Sequence, residues 1–566
     1  MGHDHTHDAA DGEAALPPAL NPSIPDEALA AEDRSRRSFL RRAGVLGAAA
    51  AATSVLGTTG VAAAAPDDSG EIARRLPRGG FQWLAGDHHI HTQYSPDAQY
   101  RVIDQVRHAH AYGLDWMVIT DHGSAQHAKI GVEKVNPDIV AARAAIPDTL
   151  VFQGLEWNIP AAEHGTVFVH PGNNEVAVLK EFENTYDGTV TNTGASTPPN
   201  EALAVAGITF LGSAVAARRV ADALMLANHP ARKGIDSPHE IRAWRDADLR
   251  IAIGMEGAPG HQAAGIAKPG GPGSGRGAYD NSPSAASFPG YPLESYRTYG
   301  GFDWMTATVG GLWDSLLAEG KPWWITANSD SHMVYGDTSI RGTGSDFTNN
   351  GFFNDPVHGG PANLNNSDFW PGSYSRTNVG VTSGSYAAVM DGLRAGRVWV
   401  DHGQLISALN VSVRSDPLGL PLPFPGTPLG GTLTVRRGAP VRLSIDIDLA
   451  NGPNWGQFQP TLARVDVIAG DVTGPAGDRD TFAAPTAKVV KSFDVGRNSG
   501  SVSLSYTVTA DRSFYLRIRG TDGNRSAPGL GGAAVDPAGP AMDVLGDADP
   551  WKDLWFYSNP IFVLVR

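Results

Sequence analysis

His89-Ile90-His91 and, far downstream, Asp330-Ser331-His332 are the residues of this chain best suited to chemistry. In each, two ligand-type side chains are separated by one residue at the end of an apolar run. On an extended strand, residues i and i+2 project from the same face, so each pair can aim two donor atoms at one point. Between them come Thr120-Asp121-His122, Gly154-Leu155-Glu156, Glu163-His164-Gly165 and Asn228-His229-Pro230. Each places a histidine or carboxylate within or just after a hydrophobic stretch. Six such placements in chain order point to a multinuclear metal site. Imidazoles and carboxylates without thiolates suit Zn, Mn or Fe and discriminate poorly among them.

Such groups must be positioned by regular elements. Apolar runs predict strands over Asp87–Thr92, Trp116–Thr120, Leu150–Leu155, Thr166–Val169, Leu224–Ala227, Ile251–Met255 and Trp323–Thr326. Helical spacing lies between them over Val102–Tyr112 (closed by Gly113), Ile130–Ala145 and Ala214–Asp222. Repeated strand–helix alternation argues for parallel strands with helices outside, as an open sheet or a barrel. Chemistry in such folds sits at the carboxyl ends of the strands. Every candidate ligand falls at such an end except His164, which precedes its strand. Residues 172–200, 257–300 and 336–372 are polar and rich in Gly, Pro, Ser and Asn, and read as surface insertions or lids. From residue 404 the pattern changes to short alternating strands separated by turns, from Leu405–Val413 to Ile561–Val565, with no helices between them. That pattern predicts an antiparallel β-sandwich over 404–566, after a catalytic region at 66–403.

With 566 residues there is ample chain for two or three domains. The formal charge of −15 argues against a nucleic-acid partner, because phosphate backbones call for a basic surface. Ser35-Arg36-Arg37-Ser38-Phe39-Leu40 precedes a mild apolar run ending in alanines before Pro66. Residues 1–65 thus read as a twin-arginine export signal cleaved near Ala64 or Ala65. The Ala/Gly-rich run is a poor bilayer span, so no stable membrane insertion is expected after processing. The chain contains no cysteine, so an exported protein of this kind must stand on its core alone. Twin-arginine substrates cross folded, which would let the protein collect its metal beforehand. His3-Asp4-His5-Thr6-His7 looks metal-binding in isolation but precedes the signal and is expected to be removed with it.

Gly86-Asp87-His88-His89-Ile90-His91-Thr92, with Ser95 and Asp97 behind it, resembles the opening motif of the PHP (polymerase and histidinol phosphatase) superfamily. Gly113–His122 looks like the second motif, and the Glu156, His164, His229 and Asp330–His332 segments fall in the family's order. The likeness covers roughly residues 84–335. It implies a distorted (β/α)7 barrel carrying two or three divalent metal ions. Gly392–Val400 and Ser558-Asn559-Pro560-Ile561-Phe562-Val563 are similar to the carbaryl-hydrolase-like (CehA/McbA) branch of that superfamily.

Carried over residue by residue, the resemblance implies that His89 and His91 bind one metal with Asp330. Glu156 would bridge two metals, and His164 and His229 would complete the second. Asp97, His122 and His332 would serve the third, although the family often has Ser-Asp-Gly where this chain has Ser95-Pro96-Asp97-Ala98. Asp87 and Asp121 would fix imidazole tautomers. His164 is preferred to His170 because His-Gly-Thr-Val-Phe resembles the family's third-motif histidine. His88 points to the strand face opposite His89 and His91, so it is read as a non-ligand. His108, His110 and His127 are expected to face solvent.

The reaction expected is hydrolysis of a phosphate ester of a small molecule, with a metal-bridging hydroxide as nucleophile. Glu156 and Asp330 hold the metals, while Arg232, Lys233 and Arg376 are candidate anion-orienting cations or, equally, solvated surface charges. The alternatives are carboxylic or carbamate ester hydrolysis, as the carbaryl-hydrolase-like branch implies, and a non-catalytic exported binding protein. A polymerase-associated or amino-acid-biosynthetic role fits poorly with export and an acidic surface. What the β-sandwich contacts is not written in the sequence.

Overall fold

The computed structural model describes residues 80–269, 271, 273–279, 282–415, 426–523, 535–539 and 549–566. The expected export signal and the His3–His7 segment lie outside the described residues. Strands β1 (Gln82–Asp87), β2 (Trp116–Ile119) and β3 (Leu150–Asn158) run parallel in that order. Helices α1 (Val102–Ala111) and α2 (His127–Ala145) follow β1 and β2. Next comes β4 (His164–Val169), antiparallel to both β3 and β5 (Ala223–Ala227). The expectation of parallel strands fails here for a simple reason. Only residues 159–163 join β3 to β4, which is a hairpin connection and far too short for a crossover. Strands β6 (Ala252–Ala258) and β7 (Trp324–Ala327) then continue parallel to β5.

Helices cover this sheet where the chain crosses over. Residues 172–200 are not a structureless insertion: α3 (Glu175–Tyr186) lies within them, and α4 (Pro198–Ala216) begins there. The helix predicted at Ala214–Asp222 is therefore the tail of α4, whose start is set by prolines in its first turn. Helix α5 (Pro238–Ala247) opens on a capping box, in which Ser237 accepts from the Glu240 amide and the Glu240 carboxylate accepts from that of Ser237. Helix α2 starts three residues earlier than its apolar pattern suggests, because the Ser124 hydroxyl accepts from the His127 amide at 3.0 Å.

The ladder of β1 ends at Asp87, so His89 and His91 lie just beyond the strand rather than on it. The Asp87 carboxylate takes the amides of His89 (3.1 Å) and Ser329 (3.0 Å), turning both ligand loops off the sheet. Ile90 nevertheless pairs with Ser331 in an isolated parallel bridge, and the His91 amide donates to the Ser331 carbonyl at 3.0 Å. The segment after the last parallel strand thus returns to the segment after the first. The outer edge of β7 is met by side chains: Thr377 bonds the amide and carbonyl of Ala327, and Asn559 accepts from the Ile325 amide.

On its other side β1 pairs antiparallel with β8 (Ser375–Val381), and β8 with β9 (Val398–His402). The sheet runs on through β17 (Trp555–Ser558), β16 (Phe514–Thr521) and β18 (Ile561–Val565) to β11 (Thr432–Val435). Strand β13 (Leu462–Asp471) pairs with β16 and with β14 (Lys488–Arg497). A separate four-stranded sheet joins residues 427–428, β10 (Ile406–Arg414), β12 (Ala439–Leu449) and β15 (Ser501–Ala510). Period-two alternation sends Val441, Leu443, Ile445 and Ile447 of β12 inward. They share one core with Val465 and Val467 of β13 and Leu516 and Ile518 of β16. Tyr515 of β16 points the other way, into the larger core that also holds Trp116, Trp157 and Phe168. No helix among the described residues is long and apolar enough to cross a membrane.

Candidate metal centre

Glu156 lies near the end of the buried run of β3, where its carboxylate meets groups from four other segments. Its Oε1 lies 3.1 Å from His89 Nε2, 3.0 Å from His164 Nδ1 and 3.2 Å from His229 Nε2. Its Oε2 lies 2.9 Å from His122 Nδ1 and 3.3 Å from His91 Nε2. Asp330 divides its oxygens in the same way. Oδ1 faces His89 Nε2 (3.1 Å), His91 Nε2 (3.3 Å) and His332 Nδ1 (3.4 Å), whereas Oδ2 faces His261 Nε2 at 2.9 Å. Asp97, half exposed at the rim, reaches His122 Nε2 at 3.1 Å and His332 Nε2 at 3.5 Å. All nine residues expected as ligands are therefore gathered at one place. His91 and His332 stack there with ring centroids 3.7 Å apart.

The donor set fits divalent cations. Glu156 Oε2, Asp330 Oδ1 and His91 Nε2 are buried and make no hydrogen bond, although they lie close together. Unpaired buried polar atoms are costly unless something else satisfies them. Five groups of three or four such side chains have all their donor atoms within 4.8 Å of one another. Electrostatics agrees. Burial pushes the Glu156 carboxyl up, yet His122, His89 and His164 hold it well below the usual carboxylate range. Asp330 is likewise held down, against burial, by His261, His89 and His332. Burial opposes charge on His89, but Asp330 and Glu156 raise its pKa well above the ordinary value. Burial and the neighbouring Arg232 push His229 down to about 3, and burial with His91 pushes His332 to about 4.

Carboxylates behind the rings set their aim. Glu256, at the end of β6, holds His89 Nδ1 at 2.7 Å with Oε1 and accepts the His229 amide at 2.6 Å with Oε2. Glu163 stands 3.6 Å from His229 Nδ1 and pairs with Arg232 (3.2 Å) and Lys233 (3.0 Å). Asp121, expected to fix an imidazole, hydrogen-bonds Thr92 and Ser95 instead of a ring. It accepts from the Thr92 amide and from Ser95 Oγ, and Ser95 in turn meets His91 Nδ1 at 2.9 Å. Asp87 also binds backbone amides rather than imidazoles, and burial lifts its pKa to about 7.

Three residues of the centre hold left-handed backbone without being glycine: His229 (φ 30°), His261 (φ 53°) and Asp330 (φ 46°). Strained conformations of this kind concentrate at functional sites. The centre opens into a cavity of about 430 Å³. Its walls include Arg232, Met333 and the loop Asn365-Asn366-Ser367-Asp368. Met333 is the single apolar residue among those lining it.

Several expectations need correction. Arg376 is not in the cavity; its guanidinium donates to the carbonyls of Gly372 (3.0 Å) and Tyr112 (2.8 Å). Lys233 is also absent from the lining. His127 is buried, with Nδ1 on Glu183 at 2.8 Å, and His108 stacks on Trp370. Two histidines read as non-ligands have other partners: His88 sits between Thr166 and Thr326, and His170 bonds the Pro171 carbonyl. His261, Asp368 and the orienting Glu256 were not foreseen. Glu256 had a signal, since Gly254-Met255-Glu256 repeats the strand-ending pattern of Gly154-Leu155-Glu156. His261 and Asp368 lie in Gly- and Asn-rich stretches whose spacing says nothing about aim.

Comparison with known proteins adds a PHP domain model that matches residues 87–189. No curated protein matches the chain. Among solved structures, the chain is similar to a two-domain protein from Bacteroides vulgatus ATCC 8482 containing a predicted PHP-like metal-dependent phosphoesterase. That match has 16% identity and a TM-score of 0.31, and covers 77% of this chain and 97% of the other. It is also similar to endonuclease Q in complex with a 27-mer duplex substrate bearing an abasic lesion, at 16% identity and a TM-score of 0.20, over 33% of this chain and 46% of the other.

Proposed function

We propose that the chain is an exported metal-dependent hydrolase of small-molecule esters, and specifically a phosphoesterase. The observation that carries this is the pair Glu156 and Asp330, each presenting two oxygens to different imidazoles beside one open cavity. His89, His91, Asp97, His122, Glu156, His164, His229, Asp330 and His332 would hold two or three divalent ions, Zn, Mn or Fe. Such ions, when bound, lower the pKa of water from about 15.7 towards about 7 and stabilise charge on the reacting ester. The strands β1–β7, with Ser331 returning to Ile90, read as a distorted barrel of the PHP type. The four-stranded sheet and the part of the main sheet formed after residue 404 read as a β-sandwich continuous with it through β9 and β17. Residues 1–65 would direct export by the twin-arginine route and then be removed.

The remaining side chains of the cavity support an anionic, polar substrate. Arg232 lies in the wall with its Nε buried and without a hydrogen-bond partner, while Glu163 anchors its Nη2. A phosphoryl oxygen would be oriented by the part of that guanidinium which faces the cavity. Asn365, Asn366 and Ser367 offer further polar contacts, whereas Met333 alone gives little surface for an aryl leaving group. The carboxylic or carbamate ester alternative therefore has no wall feature in its favour.

The test is to load the mature protein separately with Mn, Zn and Fe and assay sugar and aryl phosphates beside an aryl carbamate and an aryl acetate. Turnover of phosphates in preference to the other esters is expected. No phosphate turnover with any of the three metals would overturn the reading.

A further inference from the structure

We propose that His261 is a further metal-binding side chain of this centre, acting with Asp330 and His332 and aimed by Asp368. This rests on the metal-centre reading above but concerns groups that lie outside the strand-end motifs. His261 comes from the Gly- and Pro-rich stretch after β6, and Asp368 from the Gly- and Asn-rich stretch after β7.

The geometry repeats that of His89. His89 places Nδ1 2.7 Å from the buried Glu256 carboxylate and Nε2 3.1 Å from Asp330 Oδ1. His261 places Nδ1 2.5 Å from the buried Asp368 carboxylate and Nε2 2.9 Å from Asp330 Oδ2. In both, the carboxylate takes the Nδ1 hydrogen, so a ring that gives up its other proton to a metal presents the Nε2 lone pair towards Asp330. Two electron-rich atoms at that separation call for positive charge. Carboxylate–imidazole–metal arrays supply it in this way, with the outer carboxylate fixing the tautomer. The donor atoms of His261, Asp330 and His332 also lie within 4.8 Å of one another, a group that shares only Asp330 with the one containing His89 and His91. Two imidazoles and a carboxylate suit Zn, Mn or Fe.

Both supporting segments are fastened to the ligand loop. The His261 amide donates to the Ser329 carbonyl at 3.3 Å, next to Asp330. Asp368 Oδ2 accepts the amides of His332 (2.7 Å) and Met333 (2.9 Å), and Oδ1 also accepts from Ser367 Oγ at 3.0 Å. Asp330 thereby gains a facing nitrogen on each oxygen. Oδ1 serves the position of His89 and His91, and Oδ2 serves that of His261.

The experiment counts ions per chain by elemental analysis while a chelator is raised stepwise, for wild type, His261→Ala, His261→Asn and Asp368→Asn. Folding of each is checked by circular dichroism. The His261 variants are expected to lose one ion at a chelator concentration at least tenfold lower than wild type, with the others retained. Asp368→Asn should weaken the same ion by roughly 10–100-fold, as outer carboxylates do. Cobalt-loaded wild type and His261→Asn should differ in visible absorption, because one ligand of the ion changes. If the folded variants give removal curves and cobalt spectra superimposable on wild type, the assignment of His261 falls alone. If wild type takes up no divalent ion, both this assignment and the hydrolase reading fall.

Discussion

Two buried polar clusters in this chain are built from similar carboxylates and differ in what faces them. Where α6 (Leu312–Ala318) meets β16, Asp314 takes Arg517 Nε at 2.9 Å and Nη2 at 2.7 Å, and the Tyr515 hydroxyl at 2.8 Å. Beside it Arg519 joins Asp466 (3.2 Å) and Asp536. There, each guanidinium faces carboxylates in fork geometry, although Arg517 Nη1 and Asp536 Oδ1 keep no hydrogen-bond partner. In the metal centre, ring nitrogens and carboxylate oxygens crowd around Glu156 and Asp330 with several atoms left unpaired. One cluster is a fastener and the other a receptor. Burial and residue type alone would not tell them apart; the direction of lone pairs does.

The two clusters should respond in opposite ways to loss of a carboxylate, and most of all at Glu156. Glu156→Gln keeps the shape but removes the charge on which five imidazoles converge. Metal content and turnover should both collapse, by well over the ~10–100-fold that losing an outer partner costs. Retained metal at wild-type stoichiometry would show that Glu156 is not the hub. The reverse experiment is Asp314→Ala. Leaving Arg517 buried and unpaired should cost about 3–5 kcal/mol of stability, read by urea unfolding, while metal per folded chain stays unchanged.

A third buried carboxylate sharpens the contrast. Asp401 of β9 lies near Arg376, but that guanidinium already donates to the carbonyls of Gly372 and Tyr112, and burial raises the Asp401 pKa to about 6. A folded-state pKa above the unfolded value of 3.8 means that the neutral form is favoured by folding. Its contribution is fully present below about 3.8 and is lost as pH rises through about 6. Wild type should therefore lose stability relative to Asp401→Asn as pH rises from about 3.8 through about 6, by at most about 3 kcal/mol. A pH-independent difference between the two would refute it. The smallest effect is expected at Glu256, where Glu256→Gln leaves every proposed ligand in place. Metal affinity should fall by roughly 10–100-fold in a chelator competition, with unfolding of the metal-free chain little changed.

Much of the centre was legible because its residues end apolar runs, and strand ends in such sheets converge. His89, Glu156 and Asp330 needed no more than that pattern. The strands themselves were also readable, except that β1 stops before its histidines, where the Asp87 carboxylate diverts the backbone. Other features depend on tertiary contacts that local pattern does not encode. The five-residue link before His164 decides that β4 is antiparallel, and only its length hinted at this. Arg376 reads as a free cation until the carbonyls that surround it are known. His261 and Asp368 are aimed by hydrogen bonds to loops distant in sequence, inside stretches that look like featureless excursions.

The meeting of Ile90 with Ser331 carries a last consequence. The segments that follow the first and last parallel strands touch through a single backbone bridge, and directly beside it stand His89, His91 and Asp330. A cation lodged there would clasp the two ends of the strand series together. Loading would then tighten that seam, and amide exchange at His91, whose hydrogen closes it, should slow.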